Sequence, residues 1–325
     1  MTITIKEESF ESLETYRKYP GLNWSSVFVF PGFMRSWWQV FAPRDARLFL
    51  RSVWQDEKLL GIAPLQVKGN AASFIGHKDV FDYIDFITVP GVEKDFFNSL
   101  LDYLKSNGII NLDLGPLRPD ATVMQHLVEI AVVRGYSVET NQEDVFVELP
   151  LPPTWDDYLE ELGGKERHEL RRKMKRLLTA GSIDFRIAGD AASIKSVEDD
   201  FFRLFPRSRG KKGTFMTETM SRFFHILIKT LTEAKVMRFG ILSLENKILA
   251  MVLCFDYNEV VYLYNSAYDL GSSELSPGLL SKAFYIQDSI EQSKRIFDFL
   301  KGSEDYKYRM GGRETPIYRV KIDIK

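Results

Sequence analysis

VMRFGILSLENKILAMVLCFDYNEVVYLYNSAYD, residues 236–269, reads as three strands in a row. Val236 to Leu244, Ile248 to Tyr257 and Val260 to Ala267 are rich in aliphatic, β-branched and aromatic residues. The links between them, Glu245-Asn246-Lys247 and Asn258-Glu259, have the short polar composition of tight turns, so an antiparallel meander is expected. The segment after the meander decides the architecture. Leu270 to Leu275, a loop with Gly271 and two serines, meets Ser276-Pro277-Gly278, where serine suits an N-cap and proline a first helical position whose amide needs no partner. The helix should run to about Ser293. Ile296 to Leu300 is then a strand, Glu304 to Met310 a short helix or turn, and Ile317 to Ile324 the last strand.

Upstream, Thr217 to Ala234 and Ser193 to Phe205 read as helices on either side of the basic loop Arg207, Ser208, Arg209, Gly210, Lys211, Lys212, Gly213, and Ser182 to Ala188 as a strand. Thr154 caps a helix that Gly163-Gly164 interrupts and that resumes from Lys165 to Leu178. Before it stands Pro150-Leu151-Pro152-Pro153. Proline lacks an amide hydrogen and fixes its backbone angle, so this cluster continues neither sheet nor helix, and the domain boundary is placed there: 1–150 and 151–325.

The N-terminal half repeats the order of elements. Arg47 to Trp54 and Leu59 to Val67 form a hairpin, Ser73 to Val89 a third extended stretch. Val92 to Ser106 is a helix with Phe96, Phe97, Leu100, Leu101 and Leu104 at intervals of three and four, stopped by Asn107-Gly108. A strand at Ile109 to Leu114, a helix at Thr122 to Arg134 and a closing strand at Val145 to Leu149 complete it. The fold class is α/β, two lobes each built on a mixed, mostly antiparallel sheet flanked by helices.

Composition agrees with two cores. A chain of 325 residues is long for one core, and 45% hydrophobic with 27% charged residues excludes disordered and disulfide-scaffold classes. A net charge of -2 argues against wholesale binding to DNA or an anionic membrane. Cys254, the one cysteine, forms no internal disulfide, and His77, His126, His168 and His225 have no partners at ligand spacing, so no metal is expected. No run of 18 apolar residues occurs and the first residues lack signal-peptide character, which points to a cytoplasmic protein.

The order of meander, glycine-containing loop, helix and parallel strand is the one GNAT acyltransferases use. Over nearly the whole chain the sequence resembles the CelD-like acetyltransferases of that superfamily, relatives of FemAB-like aminoacyltransferases. The resemblance rests on Phe33 to Trp38, Gly61-Ile62-Ala63-Pro64-Leu65, Asp82-Tyr83-Ile84-Asp85, Trp155 to Leu177, Leu275 to Leu280, Phe297 to Gly302 and Tyr306-Lys307. It implies tandem GNAT lobes and transfer of an acyl group, acetyl above all, from a CoA thioester, in polysaccharide or cell-envelope building. The donor would lie on Ser276 and the helix-start amides of Gly278, Leu279 and Leu280, which offer hydrogen bonds to a pyrophosphate, with Tyr264 and Asn265 on the strand beside its pantetheine arm.

Asp298, between Phe297 and Phe299, is the candidate base, burial raising its pKa, although an aspartate capping a turn fits the same position. Tyr306 falls where the resemblance places the acid for a departing thiolate; a buried structural tyrosine fits too. Lys307 is a candidate for an acceptor phosphate or carboxylate. The helix from Lys165 carries a dense positive stripe, with Arg171 at its middle, that either contacts phosphates or forms a solvated face, and Arg207 and Arg209 add charge in the loop. Asp82 and Tyr83 are candidates for holding a small-molecule or glycan-precursor acceptor in the first lobe. One departure from the family pattern stands out: Asp269 and Glu274 bracket the donor loop, where two acids repel phosphates. That keeps aminoacyl-tRNA open as donor and, in another class, a binding module that has lost catalysis.

Overall fold

The computed structural model describes residues 2–77, 79–208 and 212–325. The first half runs β1 (Ile3–Glu7), α1 (Phe10–Tyr16), α2 (Pro31–Phe41), β2 (Arg47–Gln55), β3 (Lys58–Lys68), β4 (Ala71–Phe74), β5 (Ile87–Thr88), α3 (Glu93–Ser106), β6 (Asn111–Leu117), α4 (Val128–Val133) and β7 (Ser137–Pro150). It continues with α5 (Trp155–Glu161), α6 (Gly164–Leu178), β8 (Ile183–Ala188), α7 (Ala191–Lys195), α8 (Glu198–Leu204), α9 (Lys212–Phe215) and α10 (Glu218–Glu233). The chain ends with β9 (Met237–Leu244), β10 (Lys247–Tyr257), β11 (Val260–Tyr268), α11 (Pro277–Glu291), β12 (Ile296–Lys301), α12 (Asp305–Arg309) and β13 (Arg313–Asp323).

Two compact units result, residues 1–145 with 315–325, and residues 146–314. The division read from the sequence assigns the last residues to the second lobe. They count with the first unit because β13 pairs antiparallel with β6, from Tyr318 opposite Leu117 to Asp323 opposite Asn111. Pro150 is not a break: it ends β7 opposite Ile296, a last register position where a missing amide is tolerated.

In the first unit β1, β2, β3 and β4 pair antiparallel in order, and β4 pairs parallel with β6. The expected hairpin of β2 and β3 turns at Asp56, whose φ is +53°. The extended stretch expected from Ser73 to Val89 is instead two short strands with an irregular span between them. There Asp85 turns inward and accepts hydrogen bonds from Thr122 N (2.6 Å), Thr122 Oγ1 (2.8 Å) and Val123 N (3.4 Å), capping the helical turn that opens at Val123. The closing strand also begins earlier than its apolar residues indicate, at Ser137, since its first half is exposed and carries no alternation.

In the second unit β8, β9, β10 and β11 form the antiparallel meander with one added edge strand, β12 joins β11 in parallel, and the end of β7 joins β12 antiparallel. One face carries α5, α6 and α11 over Val252, Cys254, Val261, Leu280, Ile286 and Phe297. The other carries α8 and α10, with Phe201 against Phe239 and Phe224 against Tyr264. The single helix expected from Ser193 to Phe205 is split into α7 and α8, each with its own N-terminal residue, Asp190 and Val197.

Candidate active site

The site begins with two strands that part. β11 and β12 pair only from Val260–Ile296 to Tyr262–Asp298. Against β10, the register of β11 slips: Leu253 faces Asn265 while Cys254 faces Leu263, which leaves Tyr264 as an inserted residue. Such a bulge bends its strand. From Leu263 onward β11 has β10 as its ladder partner and no pairing with β12 among the described residues.

A cavity of about 360 Å³ opens beside this free stretch, lined among others by Ser266, Tyr268, Ser276, Gly278, Lys282 and Tyr306. Its floor is the start of α11. Ser276 sits in the left-handed region (φ +55°) and makes no side-chain cap, contrary to expectation. Its carbonyl accepts both Leu279 N and Leu280 N at 3.1 Å. Two of the three amides expected to meet an anion are therefore spent, Pro277 has none, and Gly278 N is the one that remains. Leu279 still lines the cavity, but Leu280 is wholly in the core. Glycine at 278 is required by close approach, because a Cβ there would stand 2.8 Å from the Tyr268 ring.

Asp269 does not confront this cavity as an unpaired charge. Asp269 Oδ2 receives Lys247 Nζ at 2.6 Å and Ser272 Oγ at 3.1 Å, and Oδ1 receives Gly271 N at 3.0 Å. Lys247 thereby holds the Asp269 carboxyl below the usual range. The Glu274 carbonyl accepts Arg176 Nη1 at 2.9 Å, which brings a cation from α6 onto the loop.

Tyr306, on α12, is half-buried with its ring edge-on to Phe299 at 6.2 Å. Burial, and then the Glu304 carboxylate, push its phenol up. Beside it stands a residue the sequence reading missed. Lys282 is 5% exposed, and its Nζ lies 2.6 Å from the Gly278 carbonyl, 3.3 Å from Ser266 Oγ and 5.1 Å from the centre of the Tyr306 ring. A signal existed: Lys282 is the one basic residue of α11, four positions after Gly278 and so on the same face.

Several expected site residues take other positions. Asp298 is 1% exposed and accepts Leu300 N at 2.7 Å, holding Leu300 at φ +62° where the register of β12 on β7 slips. It orders the end of β12 and does not line the cavity. Lys307 is 2% exposed and donates to the carbonyls of Leu300, Lys301 and Gly302 at 2.8 to 2.9 Å while pairing with Glu304 at 2.8 Å. With its donors so engaged it fastens the loop rather than reaching for an acceptor. Tyr264 turns to the opposite face, against Phe255 (4.7 Å) and Phe224 (5.8 Å), and Asn265 sits opposite Leu253 in the ladder.

Arg171 is exposed on α6, where its neighbours Arg172 and Lys173 pair with Glu169 at 2.8 and 3.4 Å. Arg207 borders a different hollow, of about 570 Å³, with Arg203, Lys247 and Asp269. Arg209 lies outside the described residues. In the first unit Tyr83 is buried, edge-on to Phe28 at 5.1 Å and beneath Arg118 at 5.1 Å, and Asp82 beside it is half-buried. Tyr83 is thus part of that unit's core and not a free contact for an acceptor.

Residues 164–308 match the family model of the acetyltransferase (GNAT) domain. The match covers less than half of the chain; it makes this stretch similar to GNAT acetyltransferase domains, which use acyl-CoA donors, and it supports acyltransferase activity. Solved structures repeat the fold over the whole chain. FemX superposes with a TM-score of 0.64 at 11% identity, over 98% of this chain and 96% of that one. A protein of unknown function from Bacteroides thetaiotaomicron gives 0.58 at 13%, over 100% of both. The C-terminal domain of a protein designated a lysylphosphatidylglycerol synthetase, from Agrobacterium fabrum, gives 0.55 at 10%, over 86% and 83%. Identities this low establish a shared fold. Comparison with curated protein sequences finds no match. Among the described residues, no helix is long and apolar enough to cross a membrane.

Proposed function

We propose that the protein moves an acyl group, acetyl foremost, from a CoA thioester to an amine or hydroxyl of a sugar or cell-envelope precursor. The observation that carries this reading is one cavity shared by three features: the β11 edge free of β12, the open Gly278 amide and the Tyr306 phenol. The pantetheine arm would pair along β11 beyond the bulge, and the Gly278 amide would meet a phosphate oxygen. The CelD-like resemblance supports the choice of acceptor class.

In the reaction the acceptor nitrogen or oxygen attacks the thioester carbonyl. The new C–N or C–O bond forms, the C–S bond breaks, and Tyr306 gives its proton to the departing thiolate. The acceptor's proton passes to water, since Asp298 is not among the residues that line the cavity. Tyr306 recovers a proton from solvent. The test is thiol release from acetyl-CoA in the presence of a panel of amino sugars and sugar alcohols. Acceptor-dependent release that Tyr306→Phe lowers at least about 100-fold is expected, and undiminished release in that variant would remove Tyr306 from the mechanism.

Aminoacyl transfer from charged tRNA is the second reading, favoured by the exposed Lys165, Arg171 and Lys175 on α6. It requires RNA binding that weakens steeply between low and moderate salt.

A further inference from the structure

Tyr306 cannot give up its proton without acquiring a negative charge in surroundings that oppose one. Its ring rests on Phe299, the Glu304 carboxylate is close in sequence, and burial and Glu304 both work against the phenolate. Something must offset this. Among the described residues, the groups around the phenol include the Glu304 carboxylate, the Cys254 thiol on β10, Ser266 and Tyr268 on β11, and Lys282 on α11. Glu304 and Lys307 pair with each other, and Cys254 is a buried thiol whose ionisation burial suppresses. Ser266 and Tyr268 are neutral.

Lys282 differs from all of these. Its stem runs inside the core face of α11, and its ammonium is delivered into the cavity by two anchors, the Gly278 carbonyl at 2.6 Å and Ser266 Oγ at 3.3 Å. Those anchors fix the ammonium 5.1 Å from the centre of the Tyr306 ring, within the range in which a cation acts on an aromatic face. Both anchors belong to elements that also form the donor site, the first turn of α11 and the free edge of β11. The cation is therefore placed beside Tyr306 by the first turn of α11 and the free edge of β11, the elements that would meet the donor.

We propose that Lys282 is a positioning residue for acyl transfer, its fixed ammonium stabilising the phenolate that Tyr306 becomes when it protonates the departing thiolate. The idea rests on the reading of Tyr306 as the acid. The step moves one proton, from Tyr306 Oη to sulfur, and leaves the Lys282–Tyr306 pair neutral overall where it carried one positive charge before. Lys282 needs to donate no proton itself, so a different cation at the same place can replace it. A hydrophobic residue of similar length cannot.

The test separates this idea from the reading beneath it. A trifluorotyrosine, whose phenol is intrinsically more acidic, is installed at position 306 and titrated by fluorine NMR in otherwise native protein and in Lys282→Met and Lys282→Arg, with no donor or acceptor present. The midpoint should move up by at least about one pH unit in Lys282→Met and stay within about 0.3 of native in Lys282→Arg. An unchanged midpoint in Lys282→Met overturns the proposal. In the unlabelled protein, thiol release from acetyl-CoA should fall about 10-fold or more in Lys282→Met with its alkaline limb shifted upward, and recover to within a few-fold in Lys282→Arg. Thermal unfolding of both variants should stay close to native, which shows that each is folded, and calorimetric binding of CoA is read beside it. Loss of CoA binding in both would reassign Lys282 to the donor site and sink the proposal, whereas full activity of Tyr306→Phe would sink the underlying reading instead.

Discussion

Each unit contains a strand–helix–strand crossover with a short parallel pairing, β4–α3–β6 in the first and β11–α11–β12 in the second. Ala71 to Ser73 run beside Asn111 to Asp113, as Val260 to Tyr262 run beside Ile296 to Asp298, and a hollow opens past the pairing in both. The chemistry at the two is opposite. α3 begins with Glu93 and Asp95 in its first turn, and Glu93 Oε2 already holds Gly91 N at 2.8 Å, so the positive end of that helix is neutralised from within. α11 begins Pro277-Gly278 with no acid in its first turn. The hollow of the first unit, about 200 Å³, has its cation Arg319 clamped by Asp113 at 2.7 Å and Glu143 at 2.5 Å, whereas the cation of the second rests on a carbonyl, a hydroxyl and an aromatic face. One architecture, used twice, carries acids in the first turn of its helix in the first unit and none in the second, where the proposed donor site lies.

The largest expected contrast lies in turnover. Tyr306→Phe should cost at least about 100-fold in thiol release, while Arg319→Ala in the first unit should leave the rate within about threefold. Equal losses in the two variants would erase the distinction. Lys307→Met removes a buried cation from three carbonyls and Glu304, and should destabilise the fold by about 3 kcal/mol in denaturant titration, whatever its effect on rate. Gly278→Leu should raise the dissociation constant of acetyl-CoA at least about 10-fold, because its Cβ meets the Tyr268 ring.

A separate effect, on stability alone, concerns Asp85, whose carboxyl burial pushes up to about 7 against the pull of its Thr122 donors. The folded state then holds a proton that the unfolded chain has released, so stability should fall as pH rises from about 4 to about 7. Thermal unfolding across that range checks it: Asp85→Asn should flatten the slope, and an unchanged slope would show that Asp85 is not its source.

Much of this was legible from residues alone. The meander, the α11 start and the helix at Val92 to Ser106 follow from periodicity and turn chemistry, which are local. Tyr306, Ser276, Gly278 and Leu279 meet in the cavity as the sequence order implies. Asp298 and Lys307 look reactive in sequence for the reason they are buried: each satisfies backbone groups of one tight loop, and a sequence does not reveal which donor meets which carbonyl. Tyr264 faces away because a one-residue bulge reverses the side of the sheet, a shift that strand alternation does not predict. Lys282 escaped notice because its burial depends on Ser266 and Tyr306, neither adjacent to it in the chain.

The central claim is that a single donor site lies at the start of α11. Calorimetric titration with acetyl-CoA and with longer acyl-CoAs, on the native protein and on Gly278→Leu, tests it most directly. The account predicts saturable binding at one equivalent that Gly278→Leu weakens at least about 10-fold. Absence of binding to every CoA tried, or binding that Gly278→Leu leaves untouched, would contradict it.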